Sequence, residues 1–480
     1  MVAASADAAA PSCTLTNFGG NQIWRAHCYR PRHEQDVLDI LQRHRQAQIR
    51  AFGALHSWSD VAATADAALD MSRLDQVRPF VKDGRTFVRV GAGCRLQDVL
   101  ARLHSASDQT LPTMGAIMRQ TVSGAISTGT HGSGKPSLSH FVAAVRVAGF
   151  DAEGMPKIFE YEAGDELEAA RCALGCMGVI LSVVLHTVAK HLVEETVRSH
   201  RSLHDVLRRY DERPLTQFIL VPYRWTYLAW ERRTTELRAL SFGERLKMWL
   251  LRAFNNIGVD VMFHLLVKAA VVLRAPAVKT LMKVVPYLLI QGIARVDDPE
   301  HVLTLKHHYF RHEEMEIFVP ESRLAEAVEV LRATTDVFAG EATSVPEGIA
   351  ARLNQHGLSD DLMRYAGTYV QHYPFFFRRI LRDETLISMT SGATEPFYSI
   401  SVFTYLPPDK RQHYDAFCSW LARCMTALFA ARLHWGKHFP LGVAEIEPLY
   451  PGLERFRQLC RAADPNGVFR NDYTRRVLGF

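Results

Sequence analysis

The sequence lacks an uncharged apolar run long enough to cross a membrane. Its most apolar region, residues 246–295, is interrupted by charged side chains, among them Arg252, Asp260, Lys268, Arg274, Lys279 and Lys283. No uncharged run there approaches the roughly 18–20 residues that a spanning helix needs. Two hypotheses stay open for this region: helices that cover a larger domain, or a basic amphipathic helix pair that lies on a membrane surface.

Charge of one sign and cysteine are also scarce. The net charge is only +5 over 480 residues, without a strongly basic stripe, which argues against nucleic acid as the main partner. The eight cysteines are scattered and show neither a zinc pattern nor a dense disulfide framework. His307, His308 and His312 lie close together, but not at the spacing of a ligand set, so we predict no metal site. We therefore expect a reducing, cytoplasmic location.

The first 13 residues are rich in alanine and lack the basic start and continuous apolar core of a signal peptide, so we predict a disordered tail over residues 1–13. The remaining length suffices for two or three domains, and 48% hydrophobic with 22% charged residues is typical of a globular protein. Strand-like runs such as 217–221 and 313–319 alternate with helical segments. This alternation predicts an α+β fold whose second half is an antiparallel sheet covered by helices.

One loop carries a pattern suited to a phosphate-bearing ligand. Residues 48–52 are strand-like and lead into Gly53, which can take a positive φ and lets a ligand approach the backbone closely. Successive N–H groups and the hydroxyls of Ser57 and Ser59 suit a pyrophosphate. His56 at the tip is a nucleophile facing whatever the loop holds. Taken alone, the stretch is better explained as an ordinary turn with one polar histidine.

A second stretch, residues 111–134, is dense in glycine, serine and threonine with apolar residues between them. Such a composition suits a backbone that wraps an extended ligand. Together, Arg50-Ala51-Phe52-Gly53-Ala54-Leu55-His56-Ser57 and Gly129-Thr130-His131-Gly132-Ser133-Gly134 resemble the PCMH-type FAD-binding domain of the vanillyl-alcohol oxidase superfamily. More narrowly, they resemble the branch of aldonolactone oxidases and alditol oxidases.

This resemblance implies FAD as the cofactor, bonded covalently to His56. It also implies a two-subdomain FAD-binding domain followed by a substrate domain. The implied cofactor-binding residues are Ala51, Phe52, Gly53, Ala54, Leu55, His56, Ser57, Gly115, Thr121, Ser123, Gly124, Ser127, Gly129, Ser133, Gly134, Val179 and Ile180.

The end of the chain carries a third signature. His434-Trp435-Gly436-Lys437 resembles the family's His-Trp-(Ala/Gly)-Lys motif, and residues 464–471 resemble its Asp-Pro-x-Gly-x-Phe-x-Asn segment. The resemblance implies that this part returns to the flavin. We expect four divisions: the tail, a FAD-binding domain over 14–190, a substrate domain over 191–430 that contains the helical region 246–295, and a C-terminal segment over 431–480.

The resemblance assigns catalytic roles to three residues. Lys437 supplies positive charge to the reduced flavin, Arg378 meets the substrate oxygen, and His434 belongs to the same motif. Phe376 stands where the family has a glutamate two residues before the arginine. A polyol or lactone hydroxyl loses a partner there, and the run Phe375–Phe377 makes a drier pocket.

Gly115 bears on the electron acceptor. Related dehydrogenases have alanine at this place, whose methyl blocks oxygen, so glycine favours an oxidase; a turn that needs glycine is the competing explanation. Three hypotheses follow. The first is a sugar-lactone or alditol oxidase that uses O2 and makes hydrogen peroxide. The second is a dehydrogenase that passes electrons to a quinone or cytochrome, with peripheral membrane contact through 246–295. The third is a non-catalytic protein that kept the FAD fold.

Overall fold

In the computed structural model, the described residues are 11–238, 241–254, 261–273, 275–305 and 311–480. The strands are β1 (Ser12–Thr16), β2 (Ile23–Tyr29), β3 (Ile49–Phe52), β4 (Ala67–Asp70), β5 (Val77–Lys82), β6 (Arg85–Gly91), β7 (Gln109–Thr110), β8 (Val142–Phe150), β9 (Pro156–Tyr161), β10 (Val179–His186), β11 (Val188–Ala189), β12 (Leu192–His200), β13 (Gln217–Val221), β14 (Thr226–Thr235), β15 (Ala294–Asp297), β16 (Glu313–Pro320), β17 (Phe375–Ile380), β18 (Phe397–Thr404) and β19 (Arg432–Leu433).

The helices are α1 (Glu34–Arg43), α2 (Leu96–Ala106), α3 (Val122–Ser127), α4 (Gly164–Arg171), α5 (Leu203–Leu207), α6 (Phe242–Phe254), α7 (Phe263–Leu273), α8 (Ala275–Ile290), α9 (Pro299–Val302), α10 (Leu324–Phe338), α11 (Glu347–Gln355), α12 (Ser359–Arg364), α13 (Gln412–Phe429), α14 (Val443–Ile446), α15 (Leu453–Ala463) and α16 (Asp472–Leu478).

The first half of the chain forms two separate sheets. One has the order β1-β2-β4-β3 and pairs β4 in parallel with both β2 and β3. The other has the order β5-β6-β10-β8-β9 and is antiparallel throughout. The central strand β10 is a nearly continuous apolar run because neighbours lie on both of its edges and both of its faces are covered. The predicted α+β fold, with a first domain of two subdomains, is confirmed.

The second half is built on one antiparallel sheet of eight strands, in the order β15-β12-β14-β13-β17-β18-β16-β19. Helices α10 and α13 pack against one of its faces at β16. The long helix α13 buries aromatic and aliphatic side chains along most of its length, which anchors it on the sheet. The opposite face is partly covered by α8, whose Ile290 packs against Val197 and Ile219. Helices therefore cover parts of both faces.

The C-terminal segment returns to the first domain and is fixed there by buried polar contacts. The Ile49 amide donates to the carbonyl of Val468 at 2.8 Å, which joins the segment to β3. The buried guanidinium of Arg50 donates to the carbonyls of Phe469 and Leu174, both at 2.6 Å. These bonds explain how a stretch distant in sequence comes to lie beside the His56 loop.

One expectation about the N-terminus needs correction. The predicted tail ends too late, because Ser12 and Cys13 belong to β1, which pairs with β2. Cys13 forms a disulfide with Cys28, with their Cα atoms 6.0 Å apart. The other six cysteines are free and buried. One disulfide is not a dense framework, but the spacing of the cysteines did not predict it.

The predicted helical region 246–295 contains α6, α7 and α8 over its described residues, and it ends sooner than expected. Ala294 and Arg295 belong to β15, which pairs with β12 at the edge of the large sheet. The apolar residues therefore recur at helical spacing only as far as Ile290. His307 and His308 lie outside the described residues.

Candidate active site

A cavity of about 510 Å³ lies between the first domain and the large sheet. Most of the predicted cofactor-binding residues line it: Ala51, Phe52, Gly53, Ala54, Leu55, His56, Ser57, Gly115, Thr121, Ser123, Gly124, Ser127, Val179 and Ile180. Arg378, His434 and Lys437 line the same cavity. The sheet and the three sequence signatures therefore meet around one space.

The His56 loop is locked to the C-terminal motif. The Trp58 amide donates to the Gly436 carbonyl at 2.9 Å, and the Ser57 hydroxyl donates to the same carbonyl at 3.1 Å. The Ser59 hydroxyl donates to the Trp435 carbonyl at 2.8 Å. Two segments distant in sequence are thus held as one rigid wall of the cavity.

Gly53 has a different role in the loop from the one expected. The positive φ falls on Leu55, at 52°, and not on Gly53. Instead, a Cβ at position 53 would lie 2.0 Å from the Thr121 hydroxyl oxygen. Glycine is required because the loop passes directly over the N-terminus of α3, where Thr121 accepts from the Gly124 amide.

Three predicted cofactor contacts do not line this cavity. A Cβ on Gly129 would lie 2.9 Å from the Met389 methyl, and one on Gly134 would lie 1.9 Å from the Pro214 carbonyl oxygen. Ser133 accepts from the Arg379 amide at 3.2 Å. All three residues contact the substrate domain, at Met389, Pro214 and Arg379, and their contact with FAD stays a prediction.

Gly115 lies in the cavity wall against Thr130. A Cβ at position 115 would lie 2.5 Å from the Thr130 methyl carbon, and the Thr130 hydroxyl is fixed by Gln120 at 2.8 Å. The competing explanation was that the local structure needs glycine at position 115. Packing against Thr130 supports it, because a methyl group on residue 115 would be too close to Thr130.

Arg378 projects from β17 between two polar partners. Its Nε donates to Gln217 Oε1 at 3.4 Å, and its Nη1 lies 3.5 Å from Glu316 Oε1. The buried His131 reaches the same Glu316 oxygen with Nε2 at 3.2 Å, while its Nδ1 lies 3.0 Å from the Gly132 carbonyl oxygen. Both ring nitrogens of His131 therefore face acceptor oxygens.

Burial and charge act in opposite directions on Glu316. Burial alone would raise the pKa of this carboxyl, but the charges of His131, Arg378 and Lys437 overcome it and hold the pKa well below its usual range. Glu316 is therefore an anion that holds Arg378 and His131 at the cavity wall.

His434 has the opposite charge state. Burial holds the pKa of His434 well below its usual range, so the ring is neutral. Its Nδ1 accepts from the Gly436 amide at 3.0 Å, which leaves the hydrogen on Nε2. The ligand atoms of His131, Glu316 and His434 all lie within 4.8 Å of one another, a spacing that a metal ion could also use. The hydrogen bonds and ion pairs of the three groups account for their closeness.

Lys437 is paired within the wall. Its ammonium forms an ion pair with Glu314 Oε2 and lies 4.2 Å from the centre of the Trp58 ring. The second oxygen of Glu314, Oε1, is buried without a hydrogen-bond partner among the described residues. A buried acceptor of this kind is costly unless a bound molecule supplies the donor.

The other part of the cavity wall is aromatic. The ring of Phe376 stacks on Trp230 at 6.2 Å and on Tyr373 at 6.0 Å, and meets Phe403 edge-on at 5.3 Å. All four residues line the cavity. Phe376, the position at which the resemblance implies a carboxylate, is therefore the centre of an aromatic cluster.

The sequence missed three residues that shape the site: His131, Glu314 and Glu316. His131 stands inside the quoted Gly-Thr-His-Gly run, and the two glutamates alternate on β16, so that both project to one face of the sheet. Alternation of charged residues in an otherwise buried strand is the signal that could have found them.

FAD fits these residues. The glycines of the cavity wall bring backbone close to the space, and the hydroxyls of Ser57 and Ser123 lie beside it. The first domain supplies the His56 loop, Thr121 and Ser123 to the wall, while the large sheet supplies Arg378. The cavity thus has one wall suited to a cofactor and one suited to a substrate.

Comparison with known proteins agrees with this division. Residues 26–154 match a FAD binding domain, and residues 183–477 match the D-arabinono-1,4-lactone oxidase family. Fold and site define a PCMH-type, FAD-dependent oxidoreductase that acts on CH–OH groups. The chain belongs to the D-arabinono-1,4-lactone oxidase family. The predicted family, cofactor and reaction class are confirmed.

The names of individual relatives give different activities. A long-chain alcohol oxidase of an uncultured marine euryarchaeote is 38% identical over 470 residues, 96% of each chain. L-gulono-1,4-lactone dehydrogenase of Mycobacterium tuberculosis is 26% identical, covering 97% of this chain and 99% of that one. L-gulonolactone oxidase of Mus musculus is 25% identical over 94% of each chain. The crystal structure of cholesterol oxidase from B. sterolicum shares the fold, with a TM-score of 0.69 and 13% identity over 97% of each chain.

Proposed function

We propose that this protein is a FAD-dependent oxidase of alcohols whose hydroxyl is carried on a mainly apolar chain. The observation that carries the proposal is the aromatic cluster around Phe376, which replaces the family's carboxylate with a surface that favours hydrocarbon. The 38% identity to a long-chain alcohol oxidase supports the same substrate class. Bound FAD would accept a hydride from the alcohol carbon and pass the electrons to O2, forming hydrogen peroxide.

The substrate oxygen is bound at the polar part of the wall. Arg378 donates to it, and the Nε2 hydrogen of neutral His434 is a second donor. The carboxylates that line the described part of the cavity are Glu314 and Glu316. Because Glu316 already accepts from His131 and Arg378, Glu314 Oε1 is the acceptor proposed for the hydroxyl proton.

Three further features belong to the proposal. A covalent bond joins His56 to the cofactor, since the His56 loop is held rigid against the C-terminal motif. Gly115 leaves oxygen access to the flavin, which favours an oxidase over a dehydrogenase. The protein works in the cytoplasm, in peripheral contact with a membrane through helices α6, α7 and α8.

A peroxide assay over a panel of substrates tests the proposal. We expect kcat/KM for dodecan-1-ol to exceed that for L-gulono-1,4-lactone, D-arabinono-1,4-lactone and xylitol by about a hundredfold, which corresponds to about 2.7 kcal/mol. A preference for a lactone or polyol would contradict it. For the covalent bond, acid precipitation should leave the yellow colour in the protein pellet, and a colourless pellet would reduce the claim to non-covalent binding.

A further inference from the structure

The exposed apolar residues of this protein are concentrated in one place. Of 18 large hydrophobic residues exposed within the described part of the chain, 11 lie between residues 242 and 288: Phe242, Leu246, Trp249, Leu250, Phe254, Met262, Leu265, Leu266, Val272, Val284 and Leu288. Single exposed apolar residues are normal, but a cluster of this size marks an interaction surface.

Their spacing places them on continuous stripes. On α6, exposed apolar residues recur every three or four positions from Phe242 to Phe254, so they share one face of the helix, and only Met248 of this helix is buried. On α8, Val284 and Leu288 are one turn apart. The helices therefore turn apolar faces to the outside, where an ordinary surface helix would turn polar ones.

The charge of this surface indicates whether it binds a lipid bilayer or a second copy of the chain. The described helices α6, α7 and α8 carry one acidic residue, Glu244, and six basic ones: Arg245, Lys247, Arg252, Lys268, Lys279 and Lys283. Lys247, Lys268 and Lys283 are exposed beside the apolar stripes. Apolar stripes flanked by basic side chains suit the headgroup boundary of an anionic bilayer, whereas two copies of such a surface would repel each other. Within the described residues, no helix has the length and apolarity that crossing a bilayer requires.

The same helices form a wall of the active-site cavity from inside. Phe263 and His264 of α7 line the cavity, and so do Pro286 and Ile290 of α8. Burial lowers the pKa of His264 to about 3, so that the histidine adds no charge to this part of the wall. One layer of helix, roughly 10 Å thick, therefore separates the outer apolar stripes from the cavity.

We infer that α6, α7 and α8 seat the protein on an anionic lipid bilayer, and that an apolar alcohol passes from the bilayer into the cavity past the inner faces of α7 and α8. The access route rests on the proposed function, because only a substrate that partitions into lipid would need it. The inference that these helices seat the protein on a bilayer rests on their outer surface alone.

The test compares two sets of serine substitutions at exposed residues. Trp249→Ser, Leu250→Ser and Leu288→Ser together remove part of the stripes. Ile23→Ser and Val81→Ser form the matched control, because these residues are 68% and 69% exposed on strands β2 and β5 of the first domain. Neither set touches the cavity wall, so both variants should retain FAD content and the wild-type unfolding midpoint.

Flotation with vesicles tests the seating. Wild type and the control should float with vesicles of phosphatidylcholine and phosphatidylglycerol, and less with phosphatidylcholine alone or at high salt. The triple variant should partition about tenfold more weakly. Equal flotation of the triple variant, or none by wild type, would overturn the inference. So would light scattering that shows a dimer broken by the same substitutions, because a second copy would then cover the stripes.

Turnover tests the access route. With hexadecan-1-ol held in the anionic vesicles, the triple variant should lose about tenfold in rate relative to the control, in step with its binding. With water-soluble hexan-1-ol and no vesicles, the two should be equal. An equal loss on both alcohols would overturn the access route. Inactivity of wild type on both alcohols would overturn the proposed function and the access route, while the flotation result would still decide the seating.

Discussion

Phe376 and Glu316 lie in one row of the large sheet, each directly opposite Ser401 of the strand between them. Residues opposite one another in adjacent antiparallel strands project to the same face, so the phenyl ring and the carboxylate both face the cavity. The sheet thus has a charged part around Glu316 and an aromatic part around Phe376, two strands apart. A substrate with a hydroxyl at one end of a hydrocarbon chain matches this division.

Substitution of Phe376 tests the aromatic part. Phe376→Glu would place a carboxylate among Trp230, Tyr373 and Phe403, and a hydrocarbon chain would then have to desolvate it. We expect kcat/KM for dodecan-1-ol to fall about tenfold to a hundredfold, with a relative gain for lactones and polyols. Phe376→Leu, the control for size, should stay within about threefold of wild type. Equal losses in the two variants would show that ring shape, and not polarity, sets the preference.

Removal of the Glu316 charge tests the ion cluster through stability. Glu316→Gln leaves His131 and Arg378 buried without their anion, which should cost about 3–5 kcal/mol of unfolding free energy at pH 7. The pKa of Glu316 is lowered in the fold, so its stabilising effect is present above the usual carboxyl range and is lost only as pH falls through the lowered value. The deficit, measured by urea unfolding, should therefore persist when the pH is lowered from 8 to 5.

A matched control comes from the partly exposed pair of Arg379 and Glu321, whose atoms lie 3.0 Å apart. Glu321→Gln should cost at most about 1 kcal/mol, since solvent screens this pair. A Glu316→Gln deficit that vanishes by pH 5 would mean that Glu316 titrates normally and that the cluster does not hold it ionised.

The pair of Lys437 and Glu314 separates structural from catalytic roles. Lys437→Met leaves the Glu314 carboxylate buried and unpaired, so it should destabilise the fold by about 3–5 kcal/mol. Adding Glu314→Gln should restore much of that stability. Flavin reduction by saturating alcohol should stay slow in both variants, because both lack the positive charge and the double variant also lacks the proton acceptor. Recovery of the rate along with the stability would show that the pair is only structural.

Gly115 can be tested without the steric conflict that its packing creates. Gly115→Ala alone would press against the Thr130 methyl, whereas Gly115→Ala with Thr130→Ser removes that methyl and keeps the hydroxyl for Gln120. Reoxidation of the reduced enzyme by air should slow about tenfold or more in both variants. Flavin reduction should be normal in the double variant. Normal reoxidation in the double variant would mean that Gly115 serves packing and not oxygen access.

The sequence predicted those parts of the site that depend on local chain geometry. Three short runs belong to this group: the His56 loop, residues 121–127 and the segment from His434 to Lys437. Their residue types follow from the conformation of the local backbone. Arg378 was placed by the resemblance to the family and not by a local pattern, and it lies on β17 between Phe375 and Ile380. The fold class followed from the alternation of strands and helices.

The sequence could not predict contacts between distant segments. His131 and Glu316 belong to different domains, and nothing near either residue indicates that they pair. The same holds for Lys437 and Glu314, and for the contact that makes Gly53 necessary, which comes from Thr121. Ser133 belongs to a run whose composition is typical of a phosphate loop, yet its hydroxyl accepts from the Arg379 amide of the other domain. Such roles are set by tertiary packing, to which a local pattern is blind.

Anaerobic mixing of the enzyme with dodecan-1-ol tests the central claim most directly, because it follows hydride transfer without oxygen. The flavin's visible absorbance should be lost in a single turnover. Deuterium at the carbinol carbon should slow that loss several-fold, and L-gulono-1,4-lactone at the same concentration should act at least about tenfold more slowly. Rapid loss of absorbance with the lactone, and none with the alcohol, would contradict the account.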